Sequence, residues 1–307
     1  MNTAIIVNPV SGAGKGRRML PRVEKAVRRI FGDAQVMRSG EGEGVGALVR
    51  RAVADRVERL VVVGGDGTVN EAVNGFLSME GQRPDVAFVF LPAGTGGDFA
   101  RSTGAAGQSI DDVLAGSTGQ VDAGEICFAD GRRHFFVNIA SLGVSAVIAH
   151  GVNERSKRLG GMPAFVAGTV RGLLSWRDVP VRLQIDDTVD QELVITSVAA
   201  ANGRFLGSGM MLAPDALLND GLLDVVVLQE MRLRDFVMNA RRLYGGRVLS
   251  LPGATCYRGR EITVTPLEGR LLLEADGEIP GEAPVRIRVL PGAIRILAPW
   301  HRVKTVI

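Results

Sequence analysis

The sequence predicts two domains: an α/β domain with a parallel sheet, followed by a mainly antiparallel β-sandwich domain. Three observations carry this expectation. Up to about Val121, short apolar runs alternate with stretches of helical spacing, which implies parallel strands joined by crossover helices. The run Leu60 to Val63 is continuously apolar, as a parallel strand covered on both faces should be. Beyond Val121 apolar runs follow one another with turn residues between them and only two helical stretches, the pattern of antiparallel β structure.

The elements of the first domain follow in order. Ala4 to Asn8 is a short strand, and Ser11 to Gly16 a glycine-rich loop. Leu20, Val23, Val27 and Ile30 recur at three and four residues, so Arg17 to Ile30 is expected as a helix. Ala34 to Arg38 is a strand, Val45 to Val57 a helix, and Leu60 to Val63 a strand. Thr68 to Met79 is a helix and Val86 to Leu91 a strand. In the second domain, strands are expected at Gly124 to Cys127, His134 to Ile139, Val181 to Ile185 and Leu193 to Ala201. Four more are expected at Asp224 to Leu228, Glu261 to Pro266, Arg270 to Glu274 and Val285 to Leu290. Helical stretches lie near Pro163 to Trp176 and Leu233 to Tyr244. The expected boundaries are 1–121, 122–296, and a terminal segment 297–307.

Composition narrows the class. With 307 residues there is room for two cores. The chain is 46% hydrophobic and 22% charged, which argues against disorder. The net charge of +3 suits an anionic substrate or an anionic membrane surface without requiring either. From Arg232 to Arg260 there are seven Arg and one acid, Asp235. That run reads either as a solvated helix face with a strand edge or as a membrane-facing patch. Cys127 and Cys256 have no metal-ligand or redox spacing, and His134, His150 and His301 are scattered. A zinc site is not expected, and a reducing cytosol is. The N-terminus lacks the features of a signal peptide. No stretch reaches the roughly 18 apolar residues of a spanning helix.

Three glycine-rich loops follow three strands of the first domain, and loops at the carboxyl ends of parallel strands converge on one edge. The first, Asn8-Pro9-Val10-Ser11-Gly12-Ala13-Gly14-Lys15-Gly16, matches neither GxxxxGK[ST] nor GxGxxG. Its glycines, lysine and following helix fit an anion cradle and fit an ordinary strand-to-helix turn equally. The second is Gly64-Gly65-Asp66-Gly67-Thr68-Val69-Asn70-Glu71. Thr68 and Glu71 have capping-box spacing. Asp66, an acid between glycines at the end of a buried strand, could meet a magnesium–phosphate unit or could serve as the N-cap of a tight turn. The third runs from Leu91 to Arg101 and places Asp98 where it could cap a helix. Together the loops point to a phosphate-rich ligand.

Two acidic segments mark the second domain. Asn219-Asp220-Gly221 reads, on its chemistry alone, as a tight turn. Glu274-Ala275-Asp276-Gly277-Glu278 crowds three acids around a glycine. It reads either as a hairpin turn or as the site of a general base.

These residues resemble a family. Asn8-Pro9 with Ser11-Gly12, the run Gly64 to Gly75, the run Leu91 to Arg101, Asn219 to Asp224, and Asp276 to Glu278 occur in the order seen in soluble bacterial lipid kinases. Those kinases form the diacylglycerol kinase catalytic-domain family, related to sphingosine kinases and NAD kinases. The resemblance implies an ATP-binding α/β domain, a β-sandwich lipid-substrate domain, a cleft between them, and a terminal segment returning to the first domain. It implies ATP contacts at Asn8, Pro9, Val10, Ser11, Gly12, Gly65, Asp66, Gly67, Thr68, Val69, Asn70, Glu71 and Thr95. It implies catalytic magnesium at Asp66, structural magnesium at Asp220 with the carbonyls of Leu217 and Leu222, and a proton acceptor at Glu278 with Asp276 beside it.

The chain departs from the family pattern at Gly97, where Asn is usual. After the second strand Ser39 is the nearest match to a threonine that often contacts ATP. The expected function is ATP- and magnesium-dependent phosphorylation of a lipid hydroxyl, with diacylglycerol giving phosphatidic acid. An NAD kinase-like enzyme on a soluble substrate, or a nucleotide- or lipid-binding regulator without turnover, are the alternatives. The expected setting is cytoplasmic, peripheral at the inner face of the membrane, with no nucleic-acid partner and with room for a homodimer. Met162 to Trp176, with Phe165, Val166, Val170, Leu173 and Leu174, reads as a lip for acyl chains or as a helix packed on the β domain.

Overall fold

The computed structural model describes residues 2–40, 42–79, 85–94, 96–148 and 176–300. Thr95, His150, His301 and most of the expected lip, including its basic flank at Arg155, Lys157 and Arg158, lie outside the described residues. The chain divides into two compact units, Met1–Asp122 with Gly292–Ile307, and Ala123–Pro291.

The first unit is built on parallel strands. They are β1 (Thr3–Val7), β2 (Ala34–Arg38), β3 (Arg59–Gly64) and β4 (Ala87–Pro92). Their order is β2-β1-β3-β4, and the pairs β1–β2, β1–β3 and β3–β4 are all parallel. β1 and β3 are buried along their apolar runs, which is why they read as continuous rather than alternating. Helices α1 (Ser11–Phe31), α2 (Val45–Ala54) and α3 (Asp66–Leu77) connect the strands, and the short α4 (Asp98–Ser102) and α5 (Ile110–Leu114) follow β4. One core cluster joins Ile5, Val61 and Val89 of the sheet to Leu20, Val23 and Val27 of α1, the apolar stripe that the helical spacing predicts. Because β2 lies on one side of β1 and β3 on the other, the chain leaves β1 and β3 in opposite directions. The strand order therefore reverses there, and that reversal is where open α/β sheets form a ligand crevice.

Helix starts differ from the sequence expectation in two places. α1 begins at Ser11 rather than Arg17, and it includes left-handed residues at Gly12, Ala13 and Gly14. α3 begins at Asp66, so Thr68 lies inside the helix and forms no capping box with Glu71. Asp98 is likewise not a cap, because Gly97 occupies that position. In both loops a flexible backbone lets the helix start earlier than an oxygen-bearing cap would require.

The second unit is a β-sandwich. One six-stranded sheet runs β14-β13-β10-β7-β16-β17, comprising Ala254–Gly259, Leu223–Leu228, Ser197–Ala201, Ile139–Gly143, Leu272–Ala275 and Glu278–Glu282 in that order. Facing strands include β5 (Ser117–Phe128), β6 (Arg133–Phe136), β8 (Val179–Ile185), β9 (Val189–Ile195), β15 (Glu261–Pro266) and β18 (Val285–Ala298). Pairings within this unit are antiparallel. A shared core takes Leu142, Val198, Val225 and Leu273 from the first sheet and Phe136, Leu183, Ile262 and Ile287 from the other strands. β18 serves both units: Val285 to Arg288 pair with β15, while Arg295 and Ile296 pair in parallel with β4.

Three expectations need adjustment. His134 to Ile139 is two strands, β6 and β7, and Leu193 to Ala201 is also two, β9 and β10. Ala254–Gly259, inside the arginine-rich stretch, is a strand. Leu233–Met238 and Ala240–Tyr244 are short helices.

A half-buried histidine sits in this sandwich. His134 on β6 has no hydrogen-bond partner for its Nε2, and burial pushes its imidazole down from 6.5 to about 4. A folded-state value below the unfolded one means protonation favours unfolding. The stability from keeping His134 neutral is complete above pH 6.5 and is lost as pH falls toward 4. The expected loss is about 3 kcal/mol. His134→Phe should flatten that segment of the stability–pH curve, as read by chemical denaturation at several pH values; an unchanged slope would assign it to other groups.

Candidate functional site

The three glycine loops meet at the carboxyl edge of the first unit's sheet. Backbone bonds tie them together. Asn8 N–H donates to Val63 O at 3.0 Å, Ser39 N–H to Val7 O at 3.0 Å, and Ala93 N–H to Gly64 O at 2.7 Å. Side chains extend the pattern. Asn8 Nδ2 donates to Thr68 Oγ1 at 3.2 Å, Val10 N–H donates to Asn8 Oδ1 at 3.2 Å, and Ser11 Oγ donates to Asn8 O at 2.7 Å. Asn8 is thus the clasp between the first and second loops. Gly12, at φ +56°, packs so closely on the third loop that a Cβ would stand 1.8 Å from Ala93 O. No side chain fits there.

Asp66 opens α3 and is only partly buried. Its Oδ2 accepts the Gly97 N–H at 2.8 Å. A carboxylate at a helix N-terminus is favoured by the helix dipole, and the Gly97 bond aims it. Gly97 has φ +65°. That conformation suits glycine and is tolerated best among other residues by Asn. The departure from the family's usual Asn therefore keeps the backbone and its amide, and removes only a side chain. Arg101 Nη1 holds the loop by donating to Gly96 O and by pairing with Asp98 Oδ1 at 3.0 Å. Lys15 lines a cavity of about 800 Å³ beside this loop, together with Gly96, Gly97 and Arg101.

The remaining expected ATP contacts divide. Pro9, Val10, Gly65, Gly67 and Val69 lie on the first two loops and the first turns of α3, and Asn70 is buried in α3. Ser39 directly follows β2, beside the end of β1, with its Oγ 3.5 Å from Val7 O. Glu71 is different: its Oε2 accepts the Val45 N–H at 3.1 Å. That carboxylate satisfies the first turn of α2, which has no cap of its own at Gly44. Sequence spacing pointed to an internal cap for α3; the cap belongs to the neighbouring helix.

In the second unit the three crowded acids separate into distinct environments. Glu274 is 2% exposed. It accepts Ser141 Oγ at 2.6 Å and the Gly277 N–H at 2.5 Å. Asp276 is 7% exposed and accepts the N–H groups of Val137, Asn138 and Ile139 at 2.9, 3.1 and 3.0 Å. It therefore anchors the entry to β7. Asp276 and Gly277 both have positive φ, and Ala275 pairs with Glu278. This is a two-residue hairpin of the primed kind. Glu278, first residue of β17, is the exposed acid of the three.

Asp220 sits in its expected turn, with Gly221 at φ +71°. Its Oδ1 accepts the Leu222 N–H at 3.1 Å and its Oδ2 pairs with Arg258. Leu217 is 46% exposed. As a magnesium site this set does not fit as it stands, because the carboxylate edge is already held by a guanidinium. Arg258 was missed as a site residue because its partner is set by strand pairing. Burial pushes the Cys256 thiol nearby up to about 11, so it stays protonated and unreactive.

Known proteins match along nearly the whole chain. Residues 2–126 match the diacylglycerol kinase catalytic domain. Residues 138–298 match the YegS C-terminal NAD kinase beta sandwich-like domain. A protein of Bacillus subtilis (strain 168) named diacylglycerol kinase is 27% identical over 304 residues, covering 97% of this chain and 96% of its own. One of Mycobacterium tuberculosis (strain H37Rv), with the same name, is 27% identical over 304 residues, covering 96% and 94%. In fold, the crystal structure of a diacylglycerol kinase from Bacillus anthracis is similar at a TM-score of 0.72 and 21% identity, covering 97% of this chain and 96% of that one. With its catalytic-domain motifs and its sandwich both matched, this chain belongs to the diacylglycerol kinase catalytic-domain family of lipid kinases.

Proposed function

We propose that the protein transfers the terminal phosphoryl group of ATP to a lipid hydroxyl, converting diacylglycerol to phosphatidic acid. The observation that carries this reading is Asp66, aimed by the Gly97 amide at the edge where the three glycine loops meet. The loop Asn8 to Gly12, Ser39, and the run Gly65 to Asn70, with Thr95, would hold the nucleotide. Glycine amides and the start of α3 offer donors to phosphate oxygens.

Asp66 fits a catalytic magnesium: one oxygen is fixed by Gly97, and one carboxylate beside a phosphate site is the arrangement magnesium favours. Bound there, the ion would neutralise charge on the transferring phosphoryl group. Glu278 takes the proton of the lipid hydroxyl. The hydroxyl oxygen forms the new P–O bond, the bond to the β-phosphate oxygen breaks, and ADP leaves. Asp276 is a positioning residue: its carboxylate accepts the backbone amides of Val137, Asn138 and Ile139 and so fixes the hairpin that carries Glu278.

Among the described residues no helix is long and apolar enough to cross a membrane. The test is a radiolabelled-ATP assay against diacylglycerol, phosphatidylglycerol, sphingoid bases and NAD. Labelled phosphatidic acid is the expected product. Labelled NADP, or nucleotide binding without any labelled product, would overturn the reading.

A further inference from the structure

The acids around the Asn219-Asp220-Gly221 turn already have a cation. Strands β13 and β14 pair so that Asp224 stands directly opposite Arg258. From that position the guanidinium reaches both acids: it pairs with Asp220 Oδ2, and its Nε lies 3.6 Å from Asp224 Oδ1. Asp224 is 4% exposed, so its charge needs a partner close by. Asp220 and Asp224 are four residues apart, on either side of a turn with a left-handed Gly221. A cation bridging them clamps the turn onto the start of β13.

A magnesium ion would do the same work only by displacing this group. Magnesium demands near-octahedral oxygen ligands at about 2.1 Å, and the Asp220 edge it would use is the one Arg258 holds. A dication next to a guanidinium would also be repelled by it.

We propose that Arg258 takes the place of a structural magnesium ion in this chain, so the second unit holds its acidic turn with an internal cation. Arginine stays charged at any physiological pH, so the clamp does not vary with metal supply. The guanidinium fork suits two carboxylates at different angles, which a lysine ammonium does less well.

The test needs neither ATP nor lipid, and every chain in it, the reference included, carries Asp66→Asn, so that the magnesium proposed at Asp66 does not enter the comparison. The full chain is melted without nucleotide, in excess EDTA and in millimolar magnesium chloride at matched ionic strength. The reference melting temperature should be the same in both. Arg258→Ala should melt roughly 5 °C lower in EDTA and regain part of the loss in magnesium, because the freed carboxylates now accept the ion. Arg258→Lys should fall between. A reference transition that drops in EDTA and returns with magnesium would overturn the proposal, as would an Arg258→Ala variant that melts like the reference in both. If Arg258→Ala does not fold, manganese titration of the reference chain followed by electron paramagnetic resonance decides. No site tighter than millimolar is expected; a micromolar site removed by Asp220→Asn would sink the idea.

Discussion

Asp66→Ala should reduce phosphoryl transfer by about 10³-fold or more, roughly 4 kcal/mol of transition-state stabilisation. The reason is charge and aim together. Asp66 is the acid held at the start of α3, and its Oδ2 is fixed by the Gly97 amide at 2.8 Å. Removing it takes away the proposed magnesium contact and releases the third loop from the second. Asp66→Asn separates the two effects, because its carbonyl oxygen can still accept the Gly97 N–H while the charge is gone. Asn should therefore be nearly as inactive as Ala, yet melt closer to wild type. The folding cost of Asp66→Ala is that of one partly exposed hydrogen bond, about 1 kcal/mol. A steady-state assay with diacylglycerol, paired with a thermal melt, reads both. If either variant keeps more than about a tenth of wild-type kcat, the assignment of Asp66 fails.

Glu278→Gln should lower kcat by 10²- to 10⁴-fold, the usual range for a lost general base, while leaving the melting temperature nearly unchanged. Glu278 is exposed at the first residue of β17, so little packing depends on it. Asp276→Ala should behave in the opposite way. It would strand three backbone N–H groups that now donate to one buried carboxylate. Each unsatisfied buried donor costs about 1–3 kcal/mol, so the chief effect is a loss of stability of several kcal/mol. The Asp276 carboxylate is already engaged by three amides, so its role is to hold the entry to β7. The pair of variants therefore separates a proton acceptor from the anchor beside it. A Glu278→Gln enzyme with full kcat would return the base role to some other group.

Both arguments depend on distinctions that local sequence only partly supports. The acids of Glu274 to Glu278 look alike in the chain. In the fold one bonds Ser141, one gathers the amides of Val137 to Ile139, and one faces solvent. Those partners lie more than a hundred residues away, so no spacing rule could assign them. Glu71 gives the same lesson. Its distance from Thr68 matches a capping box, but its carboxylate caps α2 through Val45. Helix-to-helix packing, not local spacing, chose the partner.

Much of the architecture, by contrast, was written in short-range pattern. Leu60 to Val63 announced a parallel strand because both of its faces are buried, and periodicity exposes that directly. Leu20, Val23 and Val27 announced the buried stripe of α1 for the same reason. The glycine loops could be placed because each follows such a strand. The motifs around Asp66, Asp98, Asp220 and Asp276 were enough to indicate the family.

What the sequence determined alone is therefore the set of elements, their class and the identity of the acids and glycines at their ends, since these follow from local periodicity and backbone preference. What only the tertiary structure decided is which of those groups meet. The order β2-β1-β3-β4 brings Asn8 to Thr68 and Gly97 to Asp66. The register of β13 on β14 sets Arg258 against Asp224. Strand order and register are settled by burial and pairing summed over whole sheets, and a single segment carries no record of that sum.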